Sequence, residues 1–313
     1  MAKESRKNGK LFILIIIVSI LLIATGIILF FYFDKKLKDN ISERNKYNQE
    51  YQEKDKTLKS KEEELEKLEE DLESFNHLSE KATELKKTYY SKIKELEDKI
   101  LAGKSNHKIA YLTFDDGPYY NTWKVLDILD KYDIKATFFT TSINGQYCFD
   151  NKKEDCYKLY KEYVKRGHTI ANHTYTHGIW RGLYSSADSF MNAVIKQEEQ
   201  VKTQSGGYVT NIVRFPGGSS TAGKLKNSIV EQLRKRGYGW VDWSCENGDG
   251  QDIQNKNQAW SYLKSGLNDK IEVILLHDYN AVTTNMLPEL IEYLQNNGYI
   301  LLPLFYESNM INK

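Results

Sequence analysis

The pattern of hydrophobic and polar positions divides the chain into three regions. Leu11 to Phe33 is an apolar run of 23 residues, broken only by Ser19, Thr25 and Gly26 and free of charge. About 20 apolar residues cross a bilayer as a helix. The run ends in Phe30-Phe31-Tyr32-Phe33 with no small-residue cleavage pattern after it, so it predicts an uncleaved signal anchor rather than a signal peptide. Lys3, Arg6, Lys7 and Lys10 precede it and Lys35, Lys36 and Lys38 follow, which favours a cytoplasmic N-terminus only slightly.

The second region is polar and rich in Lys and Glu. Leu58, Leu65, Leu72, Ile93 and Ile100 share one seven-residue register, and Leu68, Phe75, Ala82, Tyr89 and Leu96 follow three residues later on a second. Together they form an a/d seam, imperfect because Lys61, Ser79 and Lys86 occupy seam positions. No Gly or Pro lies between Ile27 and Ala102. The pattern predicts a long helix with coiled-coil tendency and self-association through the seam. At 1.5 Å per residue such a stalk reaches on the order of 100 Å. Gly103 to His107 is a polar break. The organisation read from the chain is a short cytoplasmic tail (1–10), a membrane anchor (11–33), a stalk (34–102), a linker (103–107) and a globular domain (108–313).

In the third region the period changes. Strand patterns at Ile109–Phe114, Ala136–Thr140, His168–Ala171, Ile212–Phe215, Tyr238–Trp243, Val273–Leu276 and Tyr299–Leu302 alternate with helical patterns at Asn121–Tyr132, Asp155–Arg166, Ala187–Gln204, Leu225–Arg236, Asn257–Leu267 and Asn285–Asn296. This alternation predicts an α/β fold with a parallel sheet, of (β/α) barrel type. With 44 basic and 43 acidic residues the net charge is +1, so nothing global argues for nucleic acid.

Chemistry-bearing residues gather at the predicted strand ends. Asp115 and Asp116 follow an apolar strand and precede Gly117-Pro118. Adjacent carboxylates repel, so a cation or basic partner is expected beside them. His173 and His177 follow a second strand; four apart on a helical turn, they face one way and can hold one metal ion. With an aspartate from the first tip they form a His-His-Asp site suited to a borderline divalent ion, Zn²⁺ foremost, with Co, Mn or Ni as alternatives. Arg214-Phe215-Pro216-Gly217-Gly218 ends a third strand. Its glycines bare backbone N–H groups that can hold an oxyanion, and Arg214 can pair with an aspartate. Trp243 and Asp249 follow a fourth strand and His277 ends a fifth. With Asp249 available to its second nitrogen, His277 suits a general acid.

These five segments, in this order over about Lys108 to Leu304, resemble the polysaccharide deacetylases (NodB-homology proteins, carbohydrate esterase family 4). TFDDGP, HTYTH, RFPGG, the Trp243–Asp249 stretch and LLH are similar to the five family motifs. The resemblance implies a distorted, incomplete (β/α) barrel and hydrolysis of N-acetyl groups on an extracellular glycan, most plausibly N-acetylglucosamine of peptidoglycan. It implies Asp115 as base, Asp116, His173 and His177 as metal ligands, and Arg214 as the group fixing Asp115. It further implies the Gly217 N–H as oxyanion donor, His277 as acid tuned by Asp249, and Leu275 and Trp243 as walls of the acetyl pocket. Two departures stand out: Gly217 replaces an aromatic residue common in the family, and Gly250 replaces a Trp found in some members.

Other residues read more plainly. Tyr119, Tyr120, Tyr147 and Trp180 are candidates to stack on sugar rings or to pack the loops. Asn172 is a candidate support for the first histidine ligand. His168 reads as strand support, His107 as linker and His77 as surface. Cys148 and Cys156 are candidates for pairing outside the cell, and Cys245 reads as a buried thiol. The competing functions are an O-acetyl esterase on acetylated polysaccharide and a glycan-binding coiled-coil scaffold without activity.

Overall fold

In a computed structural model the chain is described at residues 2–142, 153–251 and 253–305, side chains excepted at 2–8, 10–12, 64–86 and 153–155. Two compact units result, residues 1–84 and Leu85–Lys313. The first helix is α1 (Ala2–Leu101). Gly103, at φ 68°, closes it: the Gly103 N–H donates to Ile100 O and the Lys104 N–H to Lys99 O, the paired bonds of a Schellman cap.

The second unit is a curled parallel sheet with helices outside. Its strands are β1 (Lys108–Asp115), β2 (Thr137–Thr140), β3 (Thr169–Asn172), β4 (Ile212–Val213), β5 (Gly239–Trp240), β6 (Cys245–Glu246), β7 (Ile271–His277) and β8 (Tyr299–Leu301). The order is β5-β4-β3-β2-β1-β7-β6, with β8 beside the start of β1. The helices are α2 (Thr122–Lys131), α3 (Lys153–Lys165), α4 (Ala187–Ser205), α5 (Lys226–Lys235), α6 (Lys256–Gly266) and α7 (Ala281–Asn296). The distorted, incomplete barrel read from the sequence is therefore present.

Strand alternation sorts the side chains. Ala110, Leu112 and Phe114 of β1, with Ile274 and Leu276 of β7, point outward into the cluster made with α2, α3, α6 and α7. Ile109 and Tyr111, with Val273, Phe139 and Ala171, point inward. Further along the same inward face come Thr113 and Asp115, paired in register with Leu275 and His277. The interior is thus apolar at the N-terminal end of the strands and polar at the C-terminal end.

One expected strand, Tyr238–Trp243, is not continuous. Only Gly239–Trp240 pairs with β4, and Cys245–Glu246 pairs with β7. Between them the Val241 N–H donates to Val213 O and the Ser244 N–H to Val273 O. The segment leaves one neighbour to join another, and in doing so draws the two edges of the curled sheet together.

The seam of the stalk also has a different fate at its C-terminal end. Ile93 and Ile100 are buried in the inner cluster, with Tyr90 and Leu96 packed against it. Tyr90 stacks on Phe305, and the Tyr111 hydroxyl donates to buried Glu97. These turns cover the apolar end of the barrel instead of meeting a second helix, so the compact unit starts at Leu85, ahead of the polar break at 103–107. A fragment of residues 106–313 should therefore be markedly less stable than one of 85–313, and Ile100→Ala should cost the latter about 2–4 kcal/mol. Urea unfolding of the three proteins checks both outcomes; equal midpoints would remove the covering role.

Candidate active site

Asp115 is the last residue of β1 and faces inward. Continued extension would turn the next side chain to the opposite face. Asp116 instead has φ 71°, which breaks the alternation and lets both carboxylates address the same space. A left-handed conformation is uncommon outside glycine. Among the described residues four non-glycine positions adopt it, and three of them, Asp116, Thr174 and His177, belong to this site. Backbone strain of this kind, on the order of 1–3 kcal/mol each, gathers where function requires it.

The histidines converge differently from the helical turn expected of their spacing. Residues 173–178 form no helix; Thr174 (φ 63°) and His177 (φ 46°) fold the loop back on itself. Asn172 supports it: its amide donates to Val194 O at 2.8 Å and its carbonyl accepts the Thr174 N–H at 2.9 Å. His173 Nε2 and His177 Nε2 each lie 3.6 Å from Asp116 Oδ1.

The donor set fits a divalent ion. The three ligand atoms lie within 4.8 Å of one another, and ligands on a tetrahedral zinc stand roughly 3.4 Å apart. His173 Nδ1 faces the Arg214 carbonyl at 2.8 Å. A carbonyl only accepts, so the ring proton sits on Nδ1 and the Nε2 lone pair points to the site. Burial holds His173 well below the usual histidine range, which keeps the ring neutral and able to ligate.

Asp115 has different partners. Its Oδ1 accepts from Arg214 Nη1 at 2.8 Å, and its Oδ2 is 3.5 Å from His173 Nε2. Burial raises its pKa to about 6, against the pull of Arg214 and His277 and with the help of Asp116. Arg214 is fully buried. Its Nη1 also reaches Thr113 Oγ1, its Nε reaches Val241 O and its Nη2 reaches Asp242 O. Phe139 lies beneath the guanidinium, 4.1 Å from it.

His277 ends β7. Its Nδ1 is 2.7 Å from Asp249 Oδ1, and its backbone N–H donates to Asp249 Oδ2 at 2.7 Å. Thr283 also donates to Oδ2. The Nε2 edge is thus directed at the site, 3.8 Å from Asp116 Oδ2. Burial alone would lower the His277 pKa; the hydrogen bond and charge of Asp249, then Asp116 and Asp115, outweigh it and raise the value to about 9.

Gly217 and Gly218, at φ 74° and 84°, carry the chain past the site. Among the described residues nothing accepts from the Gly217 N–H. A Cβ on Gly217 would stand 3.2 Å from Ile179 Cδ1, so Ile179 flanks the loop where no aromatic side chain is present. A Cβ on Gly250 would meet His277 Cε1 at 3.0 Å, which gives that glycine a local reason.

This constellation has relatives. The family model "Polysaccharide deacetylase" matches residues 102–239. Over 212 residues the chain is 32% identical to YheN of Bacillus subtilis (strain 168), named as a polysaccharide deacetylase; the match covers 66% of this chain and 70% of YheN. The chain belongs to the polysaccharide deacetylases. It is 29% identical over 200 residues to a peptidoglycan-N-acetylglucosamine deacetylase of Bacillus cereus, covering 61% of this chain and 67% of that one. The catalytic domain of peptidoglycan N-acetylglucosamine deacetylase from Eubacterium rectale superposes with a TM-score of 0.59 at 34% identity, over 66% of this chain and 93% of that domain. Family membership makes the chain a metal-dependent hydrolase of amide bonds in a polysaccharide.

Several residues of the deacetylase site carry no sequence signal of their own. Phe139, Thr283 and Ile179 become neighbours of the motif residues only through folding. Trp243 stands over Gly218, its ring 3.2 Å from where a Cβ would be, and Leu275 lies one pleat below His277. Tyr119 packs edge-on against Tyr279, whereas Tyr120 and Trp180 are exposed; Tyr147 lies outside the described residues. His168 is buried, accepts the Ala136 N–H and is held near pKa 3 by burial, which is strand support. His107 is exposed. His77 and the Cys148 end of the expected Cys148–Cys156 pair lie outside the described side chains. Cys245 is a free buried thiol whose pKa burial raises to about 12. Asp116→Asn should reduce bound metal to well below one equivalent, whereas Asp115→Asn should retain it. Metal analysis after gel filtration distinguishes the two carboxylates, and equal retention would remove the ligand assignment.

Proposed function

We propose that this chain removes N-acetyl groups from N-acetylglucosamine residues of peptidoglycan outside the cell, with a divalent ion, zinc foremost, held by Asp116, His173 and His177. The observation that carries the reading is the convergence of three sets of groups at the C-terminal ends of parallel strands. These are Asp115 with Arg214, the Asp-His-His cluster, and His277 with Asp249. The named activity of two relatives supports the glycan. The anchor rests on α1, which contains a stretch long and apolar enough to cross a membrane, with its residues from Ile13 to Phe33 exposed throughout. Self-association through the seam is assigned to its positions ahead of Leu85, since Ile93 and Ile100 are buried in the globular unit.

When bound, the ion supplies charge that lowers the pKa of water and polarises a carbonyl. The remaining chemistry belongs to the side chains. Asp115, with Arg214 on one oxygen, takes the proton of the attacking water through the other. Charge developing on the acetyl oxygen is met by the Gly217 N–H. His277 holds its proton on Nε2, kept there by Asp249, and delivers it to the departing nitrogen. Leu275 and Trp243 bound the space for the acetyl methyl.

Acetate release from purified peptidoglycan, with and without a chelator, tests the function directly; release of acetate only from ester substrates would favour the O-acetyl esterase instead. Asp115→Asn should keep metal and lose roughly 10²- to 10⁴-fold in kcat. The acid must be protonated, so activity should fall as pH rises through about 9, the value set for His277. Asp249→Asn removes the largest of the influences that raise this pKa, so the alkaline limb should move to lower pH. An unmoved limb in the pH–rate profile would remove His277 as the acid.

A further inference from the structure

The segment that draws the sheet edges together, Val241–Trp243, also contacts Arg214, Gly218 and Ser219, on both sides of the Pro216–Gly217 turn. The carbonyls of Val241 and Asp242 accept from Arg214. The Trp243 ring stands over Gly218. The Asp242 side chain is fully buried, and both of its oxygens engage one residue: Oδ1 accepts the Ser219 N–H at 2.8 Å and Oδ2 the Ser219 hydroxyl at 2.6 Å.

Two consecutive glycines at positive φ give the loop more backbone freedom than any other residue pair would. Its conformation must therefore be imposed from outside. Tyr184 donates to Pro216 O and Thr221 to Gly217 O, but these bonds are neutral and partly or wholly exposed. The Asp242 bonds are charge-assisted and buried, and so the stronger. A buried carboxylate is costly to desolvate, and hydrophobic packing would hold the sheet edges together without it. What the carboxylate adds is a fixed position for Ser219, and through it for the Gly217 N–H.

We infer that Asp242 is a positioning residue that sets the Gly217–Gly218 loop for oxyanion binding. The inference rests on the deacetylase reading proposed above and adds a residue to it. Because Asp242 reaches the loop with its side chain and Arg214 with its carbonyl, one short segment aligns the oxyanion donor with the carboxylate base on the opposite wall.

The test uses the full chain with metal and compares wild type with Asp242→Ala, Asp242→Asn and Ser219→Ala. Each is assayed for acetate release from N-acetylated chitooligosaccharide, for metal content, and for amide hydrogen exchange over residues 216–221. Removing an oxyanion donor outright costs 10²- to 10³-fold in kcat; a displaced donor should cost roughly 10- to 100-fold in Asp242→Ala. Asp242→Asn and Ser219→Ala should lose less, because each keeps one of the two bonds. KM and metal content should stay at the wild-type level, exchange over 216–221 should quicken in the same rank order, and a variant combining Asp242→Ala with Ser219→Ala should be no worse than Asp242→Ala alone. Faster exchange with unchanged kcat, a rise in KM with kcat intact, or unchanged exchange in Asp242→Ala would each overturn the inference. Absence of acetate release from the wild type would remove the deacetylase reading, while the exchange ranking would still decide whether Asp242 anchors the loop.

Discussion

Arg214 brings a full positive charge into the interior of the sheet, where burial disfavours it. Its surroundings are arranged to offset that cost: two backbone carbonyls, the Thr113 hydroxyl, the Asp115 carboxylate and the face of Phe139. The partners come from β1, β2 and the segment that joins the sheet edges, so one side chain ties three walls of the barrel to one point. Buried ion pairs are weak sources of stability, and this one is better understood as fixing geometry. The Asp115 carboxylate is held in one orientation, and the Arg214 carbonyl in turn fixes the tautomer of His173. The proposed base and one proposed metal ligand are thus oriented by the side chain and backbone of the same residue.

The barrel interior makes that charge tolerable by being layered. The lower layer is apolar and is covered from outside by the last turns of α1, with Ile93 and Ile100 buried there. Above it polar and ionisable side chains, Thr113, Asp115, Arg214 and His277 among them, take over the inward face. The same strands therefore supply the core at one end and the chemistry at the other. The short segment through Val241 to Ser244 changes neighbours between the sheet edges, and it also supports the Gly217–Gly218 loop.

Much of this was legible in the residues. Asp115 and Asp116 at a strand end, the paired histidines, Arg214 with its glycines, and His277 after an apolar strand stood out because each interrupts a hydrophobic pattern with groups that folding would otherwise expose. The strands β1 and β7 were legible because both faces are buried and the runs are long. The two-residue strands β4 and β5 lie inside the longer runs Ile212–Phe215 and Tyr238–Trp243 expected from the sequence, and β6 was not expected at all, since the extent of pairing that short is decided by neighbours and not by propensity. The stalk pattern showed an apolar stripe without showing what covers it; at Ile93 and Ile100 the cover is the barrel.

The sequence by itself determined the alternation of elements, the membrane-length apolar run, the long helix and the identities of the reactive groups, because those depend on local spacing and residue chemistry. Only the tertiary structure decided how the groups face one another. The turn at Asp116, the irregular loop between the histidines, the glycine loop held by Asp242, and the threonine behind Asp249 all depend on contacts between residues far apart in the chain. Strain at such positions is sustained only when surrounding packing imposes it, and no local pattern encodes that packing.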